Sequence, residues 1–259
     1  MAPIARVRVV PWPSIAMEAK RRLRGDRSLP QHRIVPKSIG SSSAPVPLGP
    51  RLDGKRGRLV FALDATMSRE PTWDMACSLQ GEMFDEAAAA GGLDVQLVYY
   101  RGLHECRSSK WVSDPKRLGG LMERIHCEGG STQIGRMLDH VRKETKIAKV
   151  NALVFVGDAM EEAIDGLCAT AGELGLLGVP VLMFQEGHDP AAERAFKEIA
   201  RLSNGAWCRF DAGAAAQLRE LLRAAAAFAA GGRLALADLS KRKGGEGALL
   251  LLGQMRSRP

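Results

Sequence analysis

From Leu59 onward, short unbroken apolar runs alternate with longer segments of helical period, and this alternation constrains the fold of the 259-residue chain most tightly. The runs lie at 59–64, 95–100, 152–156, 181–185 and 207–210. Most are rich in Val, Leu and Phe with no polar alternation, as strands covered on both faces should be. Between them, Trp73, Cys77, Gln80, Phe84 and Ala87 share one helical face, as do Ile134, Leu138, Val141, Thr145 and Ala148. Phe196, Ile199, Ala200 and Ser203 mark a third helix; Leu218, Leu221, Leu222, Ala225 and Phe228 mark a fourth. Gly91, Gly92, Gly178 and Gly205 stand where helices are expected to stop. The stretch 104–114 has no helical period and is expected to form a short edge strand or hairpin. The expected fold class is α/β: one doubly wound, mostly parallel, Rossmann-like central sheet with helices on both faces, over residues 58–231.

The flanks differ from that body. Residues 1–57 are rich in Pro and Ser, lack sustained periodicity, and are expected to be a disordered leader. Charge is divided the same way. Residues 1–58 hold 13 Lys and Arg against Glu18, Asp26 and Asp53, a balance of +10 within a chain of net +8, so the remainder is near neutral. The basic run 20–27 offers a contact for nucleic acid or an anionic surface, although a solvated leader is the favoured reading. Residues 232–259 are expected as a C-terminal tail or extension, with 249–252 either a terminal strand or an apolar plug. No apolar run approaches membrane-spanning length, and no stretch near the N-terminus has the form of a secretory signal. Cys77, Cys106, Cys127, Cys168 and Cys208 form an odd, scattered set without a C-x-x-C pair, which argues against a disulfide framework or zinc site. A cytoplasmic location is expected on that ground.

The chemistry-bearing segment is Asp64-Ala65-Thr66-Met67-Ser68, at the end of the first apolar run. One carboxylate and two hydroxyls at alternate positions, where a buried strand breaks into a loop, suit a small hard cation. Gly130-Ser131-Thr132 and the strand-end Asp158 can complete such a site if the strands at 59 and 152 are central neighbours. Two carboxylates and three hydroxyls neutralise a divalent ion without over-neutralising it, leaving it electrophilic toward one further anionic oxygen. Singly, each piece has a plainer use. Ser68, Thr72 and Thr132 are possible helix N-caps, Asp158 a turn residue, and Gly129-Gly130 a helix stop. Glu161 and Glu162 are expected as a first-turn acidic pair beside a helix dipole, with support of the ligands or contact with a partner as the alternative. His104, His126, His140 and His188 are expected at the surface or an edge, and Trp111 and Trp207 as packing anchors.

In order and spacing these three segments resemble the von Willebrand factor A domain and its metal-ion-dependent adhesion site, over roughly residues 58–230. Thr66 stands where that family usually has Ser, and Ala159 follows Asp158 where Gly is frequent. The resemblance implies that Asp64, Thr66 and Ser68 are first-loop ligands, Thr132 the second-loop ligand, and Asp158 the third-loop carboxylate. It implies Mg²⁺ as the ion, with Mn²⁺ or Ca²⁺ as substitutes. It also implies a non-enzymatic protein-binding module whose metal captures an Asp or Glu of a partner, with AAA+ ATPases as one kind of associate. The alternative of a Mg²⁺-dependent phosphoryl-transfer hydrolase with Asp64 as nucleophile lacks a second acid two residues on, where Thr66 stands. A phosphate loop is missing as well.

Overall fold

The computed structural model describes residues 56–211 and 214–255, so the basic run 20–27 and nearly all of the leader lie outside the described residues. Within them the chain runs β1 (Gly57–Asp64), α1 (Glu70–Ala88), β2 (Leu93–Arg101), β3 (Glu105–Ser108), α2 (Pro115–Met122), α3 (Ile134–Ile147) and β4 (Ala152–Gly157). It continues through α4 (Ile164–Leu176), β5 (Val181–Glu186), α5 (Pro190–Leu202), β6 (Ala206–Phe210), α6 (Ala215–Ser240) and α7 (Glu246–Gln254). The sheet order is β3-β2-β1-β4-β5-β6, parallel throughout except for β3, which lies antiparallel on the edge of β2. All five apolar runs are strands, and the stretch 104–114 supplies the edge strand.

The continuous apolar character of the strands follows from two covered faces. Leu59, Phe61 and Leu63 point into a layer formed with α1, α2, α6 and α7. Val60 and Ala62 point into the opposite layer with α3, α4 and α5. The second helical face ends sooner than the periodicity predicted: Thr145 is half-buried and Ala148 exposed, because α3 stops at Ile147. At the end of α5 the left-handed turn falls to Asn204, with φ of 58°, one residue before Gly205.

The alanines at 224–230 let α6 lie close against the sheet and α1, and all of them are buried. Gly232, with φ of 68°, kinks α6, and the chain after it remains helical. Residues 249–252 fall in α7 and not in a strand; the helix docks its apolar side on the core, with Leu251 fully buried while Leu249 and Leu250 stay exposed. The helices α2, α4 and α7 have no counterpart among the periodic segments read from the sequence. α4 carries Gly166, Gly172 and Gly175, which dilute its apolar stripe, and α2 is only 8 residues long.

Candidate metal centre

β1 pairs with β2 on one side and β4 on the other, so the winding reverses between β1 and β4. In an open parallel sheet that reversal opens a crevice beyond the carboxyl ends of the two strands. Asp64 is the last residue of β1, and Asp158 directly follows β4. Their loops meet: Ser68 Oγ donates to Asp158 Oδ2 at 3.2 Å, and Thr66 Oγ1 lies 3.4 Å from Ser68 Oγ. Asp64 Oδ1 accepts the Thr66 N–H at 2.8 Å, the side-chain-to-backbone turn that Asp favours at a chain reversal. A single 3₁₀ turn, Met67–Arg69, then leads into α1 without a side-chain cap. Neither Ser68 nor Thr72 is spent on capping.

The second loop is fixed from outside itself. Gly130 packs so closely on the β2–β3 turn that a Cβ there would lie 2.1 Å from the Gly102 carbonyl oxygen. It is a close approach, not a helix stop. Thr132 is buried but does not cap α3, whose N-cap, Gln133, makes no side-chain cap bond either. The cap comes from the loop after β4: Glu162 accepts the N–H groups of Ile134 at 2.5 Å and Gly135 at 2.9 Å. Glu161 accepts the Thr132 N–H at 3.1 Å while its own N–H donates to Thr132 Oγ1 at 3.0 Å. The acidic pair therefore complements the positive end of α3 and not its own helix, which begins only at Ile164. Sequence spacing carries no sign of this, since the contact spans the sheet's crossover.

Asp64, Thr66, Ser68, Thr132 and Asp158 line one cleft of about 220 Å³, together with Met67, Gly130 and Glu161. Asp64 is 3% exposed and receives the Tyr100 hydroxyl at 3.1 Å on Oδ2. Burial raises its carboxyl above the ordinary range, opposed by the Thr66 hydrogen bonds and reinforced by the charge of Asp158. Two mutually repelling acids, one of them desolvated, are a setting in which a divalent cation is stabilised. Among the described residues no three His, Cys, Asp or Glu side chains cluster to hold a metal. The donors here are instead two carboxylates and three hydroxyls, a hard set that suits Mg²⁺ or Mn²⁺ better than a thiolate- or imidazole-binding ion. The five side chains thus fit such an ion.

Behind the cleft lies a buried charge cluster absent from the sequence reading. Arg69, 2% exposed, pairs with Glu186 at the end of β5, and Thr72 donates to the same carboxylate. The Arg69 Nη1 also reaches Asp158 Oδ2 at 3.8 Å. An acid closing the apolar run of β5 was the available signal for Glu186; Arg69 had none beyond its place after Ser68. His140 also departs from expectation. It is 8% exposed on α3 and bonds Gln96 Oε1 at 2.9 Å, so it belongs to the packed layer and not the surface. All five cysteines are free, and burial raises the Cys106 and Cys127 thiols to about 11.

No family model and no curated protein matches the chain. Solved structures do. An aerotolerance-related membrane protein from Bacteroides fragilis aligns at 17% identity and a TM-score of 0.50, over 66% of this chain and 98% of that one. The SpRpn10 VWA domain aligns at 11% identity and 0.50, over 61% and 89%. Proximal thread matrix protein 1 from the mussel byssus, with a zinc-occupied MIDAS motif, aligns at 14% and 0.51, over 66% of this chain and only 46% of that one. At such identities the likeness speaks for the fold. The chain has a von Willebrand factor A fold, the expected α/β class.

Proposed function

We propose that the chain is a protein-binding module in which Asp64, Thr66, Ser68, Thr132 and Asp158 hold a divalent ion, Mg²⁺ by preference, that captures an acidic side chain of a partner. The observation that carries this is the convergence of all five residues on one cleft at the switch between β1 and β4. A neighbour of the same fold with a zinc-occupied motif supports a metal on this scaffold. The ion supplies charge: with Asp64 and Asp158 it is formally neutral and still electrophilic toward a carboxylate. The protein supplies position. The Tyr100 hydroxyl and the Thr66 N–H aim Asp64, the Glu161 contacts fix Thr132, and Ser68 bridges toward Asp158. Met67, 63% exposed on the cleft wall, adds apolar contact area for a partner.

Both Asp64 oxygens accept hydrogen bonds from groups that aim them, an arrangement suited to a ligand more than to an attacking nucleophile. Among the described residues no helix is long and apolar enough to cross a membrane. An AAA+ ATPase is the partner class that the resemblance proposes, in the cytoplasm. The test is direct. Calorimetry should show one Mg²⁺ or Mn²⁺ bound by the wild type and binding weakened at least about a hundredfold in Asp64→Ala, because even outer partners of ligands are worth 10- to 100-fold. A carboxylate-bearing partner should then bind in Mg²⁺ and leave in EDTA. Equal metal binding by wild type and Asp64→Ala defeats the proposal.

A further inference from the structure

Arg69 creates a difficulty for any cation in this cleft, and the structure contains its remedy. A guanidinium 2% exposed sits with Nη1 3.8 Å from Asp158 Oδ2, the oxygen that also accepts the Ser68 hydroxyl. Its Nε is buried without a hydrogen-bond partner, so this is a charged group held in place at a cost in solvation. Uncompensated, a fixed positive charge so close to Asp158 repels an arriving divalent ion and occupies the carboxylate it needs. The same Nη1 is paired with Glu186, which is 7% exposed and further held by the Thr72 hydroxyl. The 3₁₀ turn before α1 thus brings the cation beneath the cleft, and the end of β5 brings the anion that answers it.

Building on the metal reading above, we propose that Glu186 is a positioning residue for the metal centre: by pairing with Arg69 it keeps the guanidinium charge off Asp158 and leaves that carboxylate for the ion. Without Glu186 the guanidinium keeps its buried place beside Asp158 but loses its nearest counter-charge, so it draws on that carboxylate instead. A purely structural ion pair would affect folding alone. The proposed pair sets ion affinity and therefore behaves non-additively in a double-mutant cycle.

The experiment is Mn²⁺ titration, read by calorimetry and electron paramagnetic resonance, on the full chain and on Glu186→Gln, Arg69→Met and the double variant. Glu186→Gln is expected to weaken Mn²⁺ binding about tenfold or more, given a bare cation at this range. Arg69→Met is expected to bind no more weakly than wild type, and the double variant to return to within about threefold of it, the coupling expected of contacting charges. Wild-type affinity in Glu186→Gln overturns the inference, as does a double variant as weak as that single one. If Glu186→Gln does not fold, Arg69→Met decides: binding tenfold weaker there overturns the inference. Failure of the wild type to bind Mn²⁺ at all overturns the metal reading itself, an outcome distinct from the others.

Discussion

Two clefts of similar size carry carboxylates in this molecule, and they treat their acids differently. The one at the β1–β4 switch is about 220 Å³; the other, of about 280 Å³, lies between α1 and α6 and is lined by Glu82, Asp85 and Glu86. In the second, arginines answer Glu82 and Glu86, the two acids that are not fully exposed. Glu86 lies between Arg223 at 2.8 Å and Arg242 at 2.9 Å, and Glu82 pairs with Arg219 at 2.9 Å. In the first, Asp64 accepts from a hydroxyl and a backbone N–H, while Asp158 accepts from Ser68 and meets a guanidinium only at 3.8 Å. An acid already matched by arginine is a structural pair holding two helices together. An acid supplied with neutral donors retains its charge for an incoming cation. The count of acids in a cleft therefore says less than the identity of their partners.

The largest test of that contrast is metal-linked stability. At Mg²⁺ a hundredfold above its dissociation constant, the unfolding free energy should rise by about 2.7 kcal/mol. The gain should vanish in Asp158→Ala and persist in Glu82→Gln, measured by denaturant titration with and without EDTA. A gain that survives Asp158→Ala, or is lost in Glu82→Gln, reverses the roles assigned to the two clefts. The converse change comes next. Glu86, with a side chain 8% exposed, answers two arginines that are 22% and 53% exposed. Glu86→Gln should cost about 1–2 kcal/mol of stability, less than a fully buried pair because the arginines reach solvent, and leave Mn²⁺ affinity unchanged.

The sheet was legible because its strands are unbroken Val-, Leu- and Phe-rich runs, a pattern that two covered faces impose. The helices with clear stripes were legible for the same reason, and α4 was not, since Gly166, Gly172 and Gly175 thin its stripe. At the site, the sequence pointed to oxygen donors at successive strand ends, and the topology brings those residues into one cleft. What it did not reveal were the partners of those donors. Tyr100 meets Asp64 because β2 runs beside β1, and Glu162 caps α3 across 28 residues of chain. Such pairings depend on register and crossover geometry, which no local spacing encodes.

Tyr100 sharpens the comparison from within the cleft at the β1–β4 switch. Its hydroxyl is the neutral donor on Asp64 Oδ2 at 3.1 Å, from a ring fully buried in the sheet layer and stacked on Phe155. Tyr100→Phe keeps the ring and removes only the donor. Mn²⁺ affinity should fall by about tenfold, the lower end for an outer partner that orients a ligand, with the fold intact. Unchanged affinity would show that Asp64 is held by the Thr66 turn alone.

The smallest effect concerns a titrating group that lines neither cleft and serves as a control for pH studies of both. His140 is 8% exposed, and burial lowers its pKa below the ordinary 6.5, with Glu144 opposing and Lys143 reinforcing the shift. The unfolded chain therefore takes up the proton first, so the stability contributed by neutral His140 is present above about pH 6.5 and is lost as pH falls through that value. Between pH 7 and pH 6 the loss should be at most about 0.7 kcal/mol, and His140→Gln should flatten it. If the slope persists in His140→Gln, another group carries the proton uptake, and metal binding measured over the same interval must be corrected for that group instead.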